Sequence, residues 1–232
     1  MKIELHLHTK ESSKCGKVSA EDALTEYHRR GYEAVVITDH YSRSAANNWE
    51  YTNHREMVDA FLKGYRTAKR VGEKLGILVL LGAELRFDQS NANDYLVYGL
   101  DEDFFYDHPE LTELRLSEFL KILPETALLY QAHPFRNGIT VTDPKRLFGI
   151  EVFNGHSGHD SRNAIALAWA RLHHLHAISG SDAHHPHTLC SGGIIADRRV
   201  ESSQDLVEVL REDAYCLMNR NVLDPLHQDK YQ

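Results

Sequence analysis

The sequence is poor in cysteine, with three among 232 residues. Cys15, Cys190 and Cys216 lie far apart, and their number is odd. Small secreted proteins that depend on disulfides carry cysteines in pairs at short spacings, so this pattern does not suggest a disulfide scaffold. The scarcity of cysteine favours a reducing compartment.

Long apolar segments are also absent. No run of about 18 apolar residues occurs, which is the length that a membrane-spanning helix needs. The first predicted strand begins almost at Met1, which leaves no room for a signal peptide. We therefore expect a cytoplasmic protein that does not interact with a membrane.

An excess of positive charge is absent as well, because 26 Lys and Arg residues face 34 Asp and Glu, giving a formal net charge of -8. This balance argues against a broad nucleic-acid-binding surface but not against a local basic pocket. With 42% hydrophobic and 26% charged residues, the composition is that of a folded protein. No linker, low-complexity tract or repeat divides the chain. We expect one domain over residues 1–232, with a polar tail from about residue 221.

The sequence does contain a regular alternation of short apolar strands and helical segments. Residues 34–38, 77–81 and 127–131 are apolar almost throughout, as expected of strands buried on both faces. Helices are predicted between them, the longest over residues 52–75, so the order indicates βαβ units and a mostly parallel sheet. The link over residues 85–93 is too short for a helical crossover, and an irregularity in the sheet is expected there.

A later helix is predicted over residues 161–173. Its inward-facing residues are expected to be Ala164, Leu167, Ala168 and Leu172.

Histidine is abundant, with 16 residues, and two of them lie in the first predicted strand. Residues two apart in a strand point to the same face, so His6 and His8 present their imidazoles side by side. Buried polar groups need partners, and one metal ion would satisfy both rings. The pattern alone also allows two solvent-facing or core histidines.

Apolar strands end repeatedly in residues able to bind a metal. These residues are His6, His8, Asp39, His40, Glu84, His133, Asn154, Asp182 and His184. In a parallel barrel the carboxyl ends of all strands open on one face, where such folds place their active sites. Mixed nitrogen and oxygen donors suit borderline divalent metals, whereas a cysteine-rich set indicates structural zinc. The sequence therefore predicts a metal site at that face.

These motifs resemble, in order, those of the PHP superfamily, named for its polymerase and histidinol phosphatase members. The matching pieces lie within residues 1–185 and are His6-Leu7-His8-Thr9, Ile37-Thr38-Asp39-His40, Gly82-Ala83-Glu84, Ala132-His133-Pro134, Ile150-Glu151-Val152-Phe153-Asn154 and Gly180-Ser181-Asp182-Ala183-His184.

The resemblance implies an α/β fold, a distorted TIM-like (β/α)7 barrel with a metal site at the C-terminal ends of its strands. It implies two or three divalent ions, which are zinc, manganese or iron. The ligands that it implies are His6, His8, His40, Glu84, His133, Asp182 and His184, with Glu84 as a bridging carboxylate.

The chain departs from this family at one loop. Many members carry an Asp or His ligand shortly after the second histidine, where this chain has Ser13, Lys14 and Cys15. Only Cys15, as a thiolate, or Glu11 reaching back could bind a metal there. We favour the alternative, a small loop residue packed beneath the first helix, because oxygen and imidazole ligands already dominate the site. Whether Asn154 or His156 is a ligand stays open.

The chemistry that these residues support is hydrolysis of a phosphomonoester, a small metabolite or a nucleotide, through a metal-bound hydroxide. Metal binding lowers the pKa of water to about 7, and two ions can orient the hydroxide for in-line attack. Asp39 is expected to fix a histidine tautomer. The expected catalytic residues are Asp182, His184 and Glu84. Arginines recognise phosphate through paired hydrogen bonds, and the expected substrate-binding residues are Arg136, Arg86 and Arg43.

Other functions remain compatible with the sequence. A 5'-to-3' exonuclease acting on short oligonucleotides is one, since the net charge of -8 weighs against long polyanions only. A non-catalytic metal-binding module and an amide or lactone hydrolase are the others. The nearly complete set of ligands argues against the non-catalytic module.

Overall fold

The computed structural model describes residues 1–87 and 92–219, within which strands and helices alternate. The strands are β1 (Lys2–Leu7), β2 (Ala34–Ile37), β3 (His40–Tyr41), β4 (Leu78–Arg86), β5 (Asp94–Tyr98), β6 (Leu128–Gln131), β7 (Gly149–Asn154), β8 (His176–Gly180), β9 (Gly192–Ala196) and β10 (Tyr215–Asn219). The helices are α1 (Ala20–Arg29), α2 (Arg43–Ala46), α3 (His54–Leu75), α4 (Glu102–Asp107), α5 (Leu116–Ile122), α6 (Asn163–His173) and α7 (Ser203–Arg211). The predicted polar tail from about residue 221 lies outside the described residues.

A nearly closed barrel is formed by the strands in the order β1-β2-β4-β5-β6-β7-β8. Its two edges approach each other where Leu7, at the end of β1, forms a parallel bridge with Ala183 after β8. Antiparallel β9 and β10 extend the sheet beyond β1, and the short β3 pairs with β4. The predicted distorted TIM-like (β/α)7 barrel is confirmed.

One barrel strand, β5, runs against its neighbours. It pairs antiparallel with β4, where Asp94 lies opposite Arg86, and antiparallel with β6. The other barrel pairs are parallel. This is the irregularity that the short link over residues 85–93 predicts. Because β5 is reversed, its first residue, Asp94, lies at the end of the barrel where the parallel strands have their last residues.

Capping residues set the ends of the two helices that flank the first strands. Ser19 caps α1, where its Oγ accepts a hydrogen bond from the Asp22 N–H at 3.1 Å. Asn53 caps α3 in the same way through the Glu56 N–H at 3.0 Å, so this helix begins at His54. Gly76 ends α3 in the left-handed conformation, with φ 73°.

Helix α6 buries a different face from the predicted one. Ala166 and Ala170 are buried, whereas Ile165 and Leu172 are 49% and 69% exposed. The prediction that Ala164, Ala168 and Leu172 face inward is wrong, because apolar residues occur all round this helix and their spacing selects no face. Across the described residues, every helix is too short or too polar to be a membrane span.

Candidate metal centre

Two histidines and two carboxylates meet inside one end of the barrel. His6 and His8 lie on the same face at the end of β1, and their Nε2 atoms are 3.1 Å apart. Glu84 Oε2, on β4, lies 3.5 and 3.1 Å from these two nitrogens. Asp182 Oδ1, just after β8, lies 3.4 and 3.3 Å from them. All four side chains are buried.

The spacing of these atoms fits a bound cation. Ligands held at about 2.0–2.2 Å around one tetrahedral ion lie roughly 3.4 Å from each other. Glu84 Oε2 and Asp182 Oδ1 are buried oxygens without a hydrogen-bond partner among the described residues. Such oxygens are costly unless a cation or a donor faces them. The His and carboxylate donors therefore fit a borderline divalent metal.

Glu84 faces histidines with both of its oxygens. Its Oε1 lies 3.1 Å from His133 Nε2, and its Oε2 lies 2.9 Å from His40 Nδ1. His40 comes opposite Glu84 because β3 pairs with β4 in that register. Burial opposes ionisation of Glu84, but His40 and His6 outweigh it and hold the pKa of Glu84 well below its usual range. A carboxylate in this position is able to bridge two ions.

Strained backbone directs two of these side chains into the centre. His133 and Asp182 have positive φ angles of 29° and 45°. Residues other than glycine rarely adopt such angles, and they recur at functional sites where the surrounding structure holds them. Here the strain turns the chain at the ends of β6 and β8, so that both side chains point towards Glu84 or His6.

A second group of donors lies on the outer side of the centre. The ring of His8 packs against those of His40 and His184, with centroids 4.4 and 4.5 Å away. His184 Nε2 lies 3.1 Å from Cys15 Sγ, and its Nδ1 lies 3.0 Å from the Asp182 carbonyl oxygen. The expectation that Cys15 packs beneath the first helix is wrong, since its side chain is exposed at this site.

Cys15 and His184 alter each other's ionisation. Partial desolvation by the neighbouring side chains opposes ionisation of the Cys15 thiol, but hydrogen bonds with His184 and His40 outweigh it and lower its pKa to about 5. Burial opposes protonation of His184, but Asp182 and Cys15 outweigh it and raise its pKa to about 10.

Glu151, in the middle of β7, supports the centre from behind. Its Oε1 lies 2.9 Å from His6 Nδ1, while its Oε2 accepts hydrogen bonds from His133 N–H at 2.9 Å and Asn154 Nδ2 at 2.8 Å. Asn154 Nδ2 also donates to Asp182 Oδ2 at 3.0 Å, so Asn154 orients a carboxylate. Sequence reasoning gave Glu151 no role, because a residue within a strand carries no strand-end signal.

Asp39 holds the loop after β1. Its Oδ1 accepts hydrogen bonds from Thr9 N–H at 2.7 Å and Ser13 Oγ at 2.6 Å, and its Oδ2 accepts one from Thr9 Oγ1 at 2.7 Å. The predicted role in fixing a histidine tautomer reaches His8 through Ser13, whose Oγ lies 3.4 Å from His8 Nδ1.

The three predicted substrate-binding arginines lie in two different places. Arg86 makes two hydrogen bonds to the buried Asp94, at 2.6 and 2.7 Å, and Arg136 Nη2 lies 3.3 Å from the same carboxylate. Asp94 in turn lies 3.7 Å from His133 Nε2, beside the centre. Arg43 instead forms an exposed ion pair with Glu113. The strand-end pattern of the sequence does not predict Asp94, because β5 is reversed and its first residue, not its last, lies at the site.

Two further histidines lie on the loop after β7. His159 Nε2 is 3.7 Å from Asp182 Oδ2, and the ring of His159 stacks on His156 at 4.4 Å. Burial lowers the pKa of His156 to about 4. His159 had no periodic signal in the sequence and was not predicted. Beside the centre lies a cavity of about 360 Å³, whose lining includes Ser13, Lys14, Cys15, His40, Ser42 and Arg86.

The strand ends of the barrel thus bring together His and carboxylate donors that are able to bind metal ions. The PHP domain profile matches residues 4–217, and the chain belongs to this family. Among proteins with curated descriptions, none has a significant sequence match to this chain.

Solved structures share the fold. One is a two-domain protein from Bacteroides vulgatus that contains a predicted PHP-like metal-dependent phosphoesterase (19% identity, 96% of this chain, 66% of that chain, TM-score 0.62). Another is PsfC from Pseudomonas syringae (18% identity, 89% and 87% coverage, TM-score 0.61). A third is an amidohydrolase from Chromobacterium violaceum with bound sulfate and no metal (15% identity, 95% and 98% coverage, TM-score 0.57). At these identities the likeness shows the fold. The matched region spans slightly less than two thirds of the length of the Bacteroides protein.

Proposed function

We propose that this protein is a divalent-metal-dependent hydrolase of a small phosphomonoester, a metabolite or a nucleotide. One observation carries the proposal. Inside the barrel, one carboxylate oxygen of Glu84 and one of Asp182 each lie within 3.5 Å of both the His6 Nε2 and the His8 Nε2 atoms. A PHP-like phosphoesterase in a protein of the same fold supports the choice of substrate class.

The donor groups are numerous enough for two or three zinc, manganese or iron ions. His6, His8 and Asp182 would hold one ion, and His40, His133 and Glu84 a second, with Glu84 shared between them. When bound, such ions supply positive charge for the phosphoryl group and an acidified water. The outer group of His8, His40 and His184 offers a further position.

The protein's own side chains would bind and orient the substrate. Arg136 and Arg86 both contact Asp94 at the rim of the centre, where their guanidinium groups can donate hydrogen bonds to a phosphate. Glu151 and Asn154 hold His6 and Asp182 in place, so the donors need little rearrangement. A cavity of about 360 Å³ suits the organic part of a small substrate rather than a long polymer.

The test combines metal analysis with a substrate panel. The purified protein should carry more than one equivalent of transition metal and release phosphate from a mixed panel of phosphomonoesters, with added Mn²⁺ as one arm. Glu84→Ala should abolish turnover and retain the fold, because it removes the shared carboxylate. Glu73→Ala, an exposed position on α3, is the matched control.

Three results would contradict this function. One equivalent of metal or less after reconstitution argues against the dinuclear centre. Cleavage only of oligonucleotides, or only of amides or lactones, would replace the substrate class. Near wild-type turnover in Glu84→Ala would show that catalysis does not need the Glu84 carboxylate.

A further inference from the structure

We propose that Cys15 is a metal ligand, and that its thiolate with His184 and His40 gives the outer part of the centre a preference for thiophilic ions such as Zn²⁺ over Mn²⁺. This inference rests on the proposed metal-dependent function and deepens it. It assigns a sulfur donor to a centre whose other donors are imidazoles and carboxylates.

The first step of the argument is the geometry of the thiol and His184. Cys15 Sγ lies 3.1 Å from His184 Nε2. The other ring nitrogen, Nδ1, lies 3.0 Å from the Asp182 carbonyl oxygen, which can only accept a hydrogen bond. Once Nε2 has given up its proton, the remaining ring proton is therefore on Nδ1, and Nε2 presents its lone pair to the sulfur. Two electron-pair donors that face each other need a proton or a metal ion between them.

The distance between the two atoms is close to that of a shared ion. A Zn–S bond of about 2.3 Å and a Zn–N bond of about 2.0–2.1 Å at a tetrahedral angle separate sulfur and nitrogen by about 3.6 Å. From the observed 3.1 Å, a movement of roughly half an ångström by the two side chains would accommodate the ion.

A second observation, independent of the thiol, points to a ligand at the same place. His8, His40 and His184 each offer a ring nitrogen, and these nitrogens lie within 4.8 Å of one another. Glu84 Oε2 is buried and lies 2.9 Å from His40 Nδ1, but among the described residues it accepts no hydrogen bond with suitable angles. A cation in this group would give that oxygen a partner.

The loop that carries Cys15 is tied to the residue that it faces. Lys17 N–H donates to the His184 carbonyl oxygen at 2.8 Å, and Lys10 N–H donates to Val18 O at 2.9 Å. Gly16 lies so close to Thr9 that an added Cβ would be 2.9 Å from its backbone. These contacts present the thiol and the imidazole together. Because thiolates favour Zn²⁺ and carboxylates favour Mn²⁺, the loop also sets the metal preference.

The experiment uses Co²⁺ as a spectroscopic substitute for Zn²⁺ in the full chain. A cobalt–thiolate bond gives a near-ultraviolet charge-transfer band, whereas cobalt bound only by histidine and carboxylate gives visible bands alone. We expect the near-ultraviolet band in wild type and in the control Cys190→Ser. We expect Cys15→Ser to lose the band and one equivalent of metal, and to keep the visible bands and the circular dichroism of the folded chain.

A second variant tests the preference and does not depend on how Cys15→Ser folds. Cys15→Asp replaces sulfur by a hard donor, so it should keep the metal stoichiometry, lose the near-ultraviolet band and shift the Zn²⁺-to-Mn²⁺ affinity ratio towards Mn²⁺ by about ten-fold or more. An unchanged ratio overturns the preference.

The outcomes separate this inference from the proposed function. Visible cobalt bands without a charge-transfer band in wild type mean that Cys15 is not a ligand, while the metal centre stands. Absence of any bound cobalt, Zn²⁺ or Mn²⁺ in wild type overturns the proposed function and this inference with it.

Discussion

Glu151 shows how one side chain can set the orientation of several donors without facing the proposed ions. Its carboxylate contacts His6 Nδ1, the His133 N–H and the Asn154 amide. Through the first of these contacts it places the proton of His6 on Nδ1 and directs the Nε2 lone pair towards His8 and Glu84. Asn154 carries the effect on to Asp182.

Replacing Glu151 should therefore weaken metal binding while the donors stay in place. We expect Glu151→Gln to lower metal affinity by about 10–100-fold, since it removes the charge that fixes the His6 tautomer. Isothermal titration of the metal-free protein measures the change, with Glu208→Gln, exposed on α7, as the control. Unaltered affinity would show that Glu151 serves folding alone.

The pH dependence of metal binding follows from His184. The pKa of His184 is raised to about 10 in the ion-free chain, so this ring is protonated at neutral pH. A protonated imidazole cannot bind a metal, and binding must release its proton. Raising the pH removes that competition, so metal affinity should increase with pH between about pH 6 and 9.

Calorimetry in two buffers with different ionisation enthalpies counts the protons released. We expect proton release in wild type and a smaller number in His184→Asn. Equal proton numbers in the two proteins, or an affinity that does not change with pH, would contradict the role of this ring.

At the scale of elements, the reversed strand β5 changes the composition of the site. It brings Asp94 beside His133, where Asp94 holds Arg86 and Arg136. Arg86 makes two short hydrogen bonds to this carboxylate, whereas Arg136 makes one longer contact. Arg136 is thus the arginine that can turn more readily towards a substrate.

We expect Arg136→Ala to raise KM for a phosphomonoester and to leave the metal content unchanged. The lost charge-assisted contact should cost about 1.5–3 kcal/mol, or roughly ten- to a hundred-fold in KM. Metal is retained because Arg86 still neutralises Asp94. Steady-state kinetics and elemental analysis check both parts, with the exposed Arg115→Ala as control. Loss of metal with an unchanged KM would make Arg136 a structural residue.

The elements also show what the sequence could predict. Residues at the ends of parallel strands, such as His6, Glu84 and Asp182, could be found because strand direction and burial together place them at one face. Asp94 could not, since a single reversed strand brings its first residue there instead. Glu151 and His159 gave no signal, the one lying inside a strand and the other on an irregular loop. Their positions depend on tertiary packing.

At the scale of the whole molecule, glycines allow the barrel to close. Gly180, the last residue of β8, lies against His6, and a Cβ on it would overlap the Cβ of His6 and come within 2.8 Å of Glu151 Oε1. Gly192 lies similarly close to the backbone of Gly180. The contact between β8 and β1, here called the seam, therefore closes the barrel at the same point where the proposed metal ligands lie.

We expect Gly180→Ala to weaken both folding and metal binding. The added methyl group should cost about 1–3 kcal/mol in the free energy of unfolding, because it forces His6 or the strand to move. Gly138→Ala, at a position with open space, should show only the cost of its positive φ and no change in metal affinity. Chemical denaturation and metal titration measure the two effects. Equal metal affinity in Gly180→Ala and wild type would mean that the seam and the centre are independent.

The position of β1 in the sheet also affects the order in which the barrel can form during synthesis. One edge of β1 pairs with β2, close in sequence, but its other edge pairs with β9, where Lys2 lies opposite Ile195. At a synthesis rate of about 5–20 residues per second, Lys2 waits on the order of ten to forty seconds for that partner to be made. Pairings this distant in sequence also form slowly after synthesis. During this interval one edge of β1 is open to other strands, and His6 has no Asp182 beside it. An ion that needs Asp182 as a ligand could therefore stabilise the barrel only after this residue has been made.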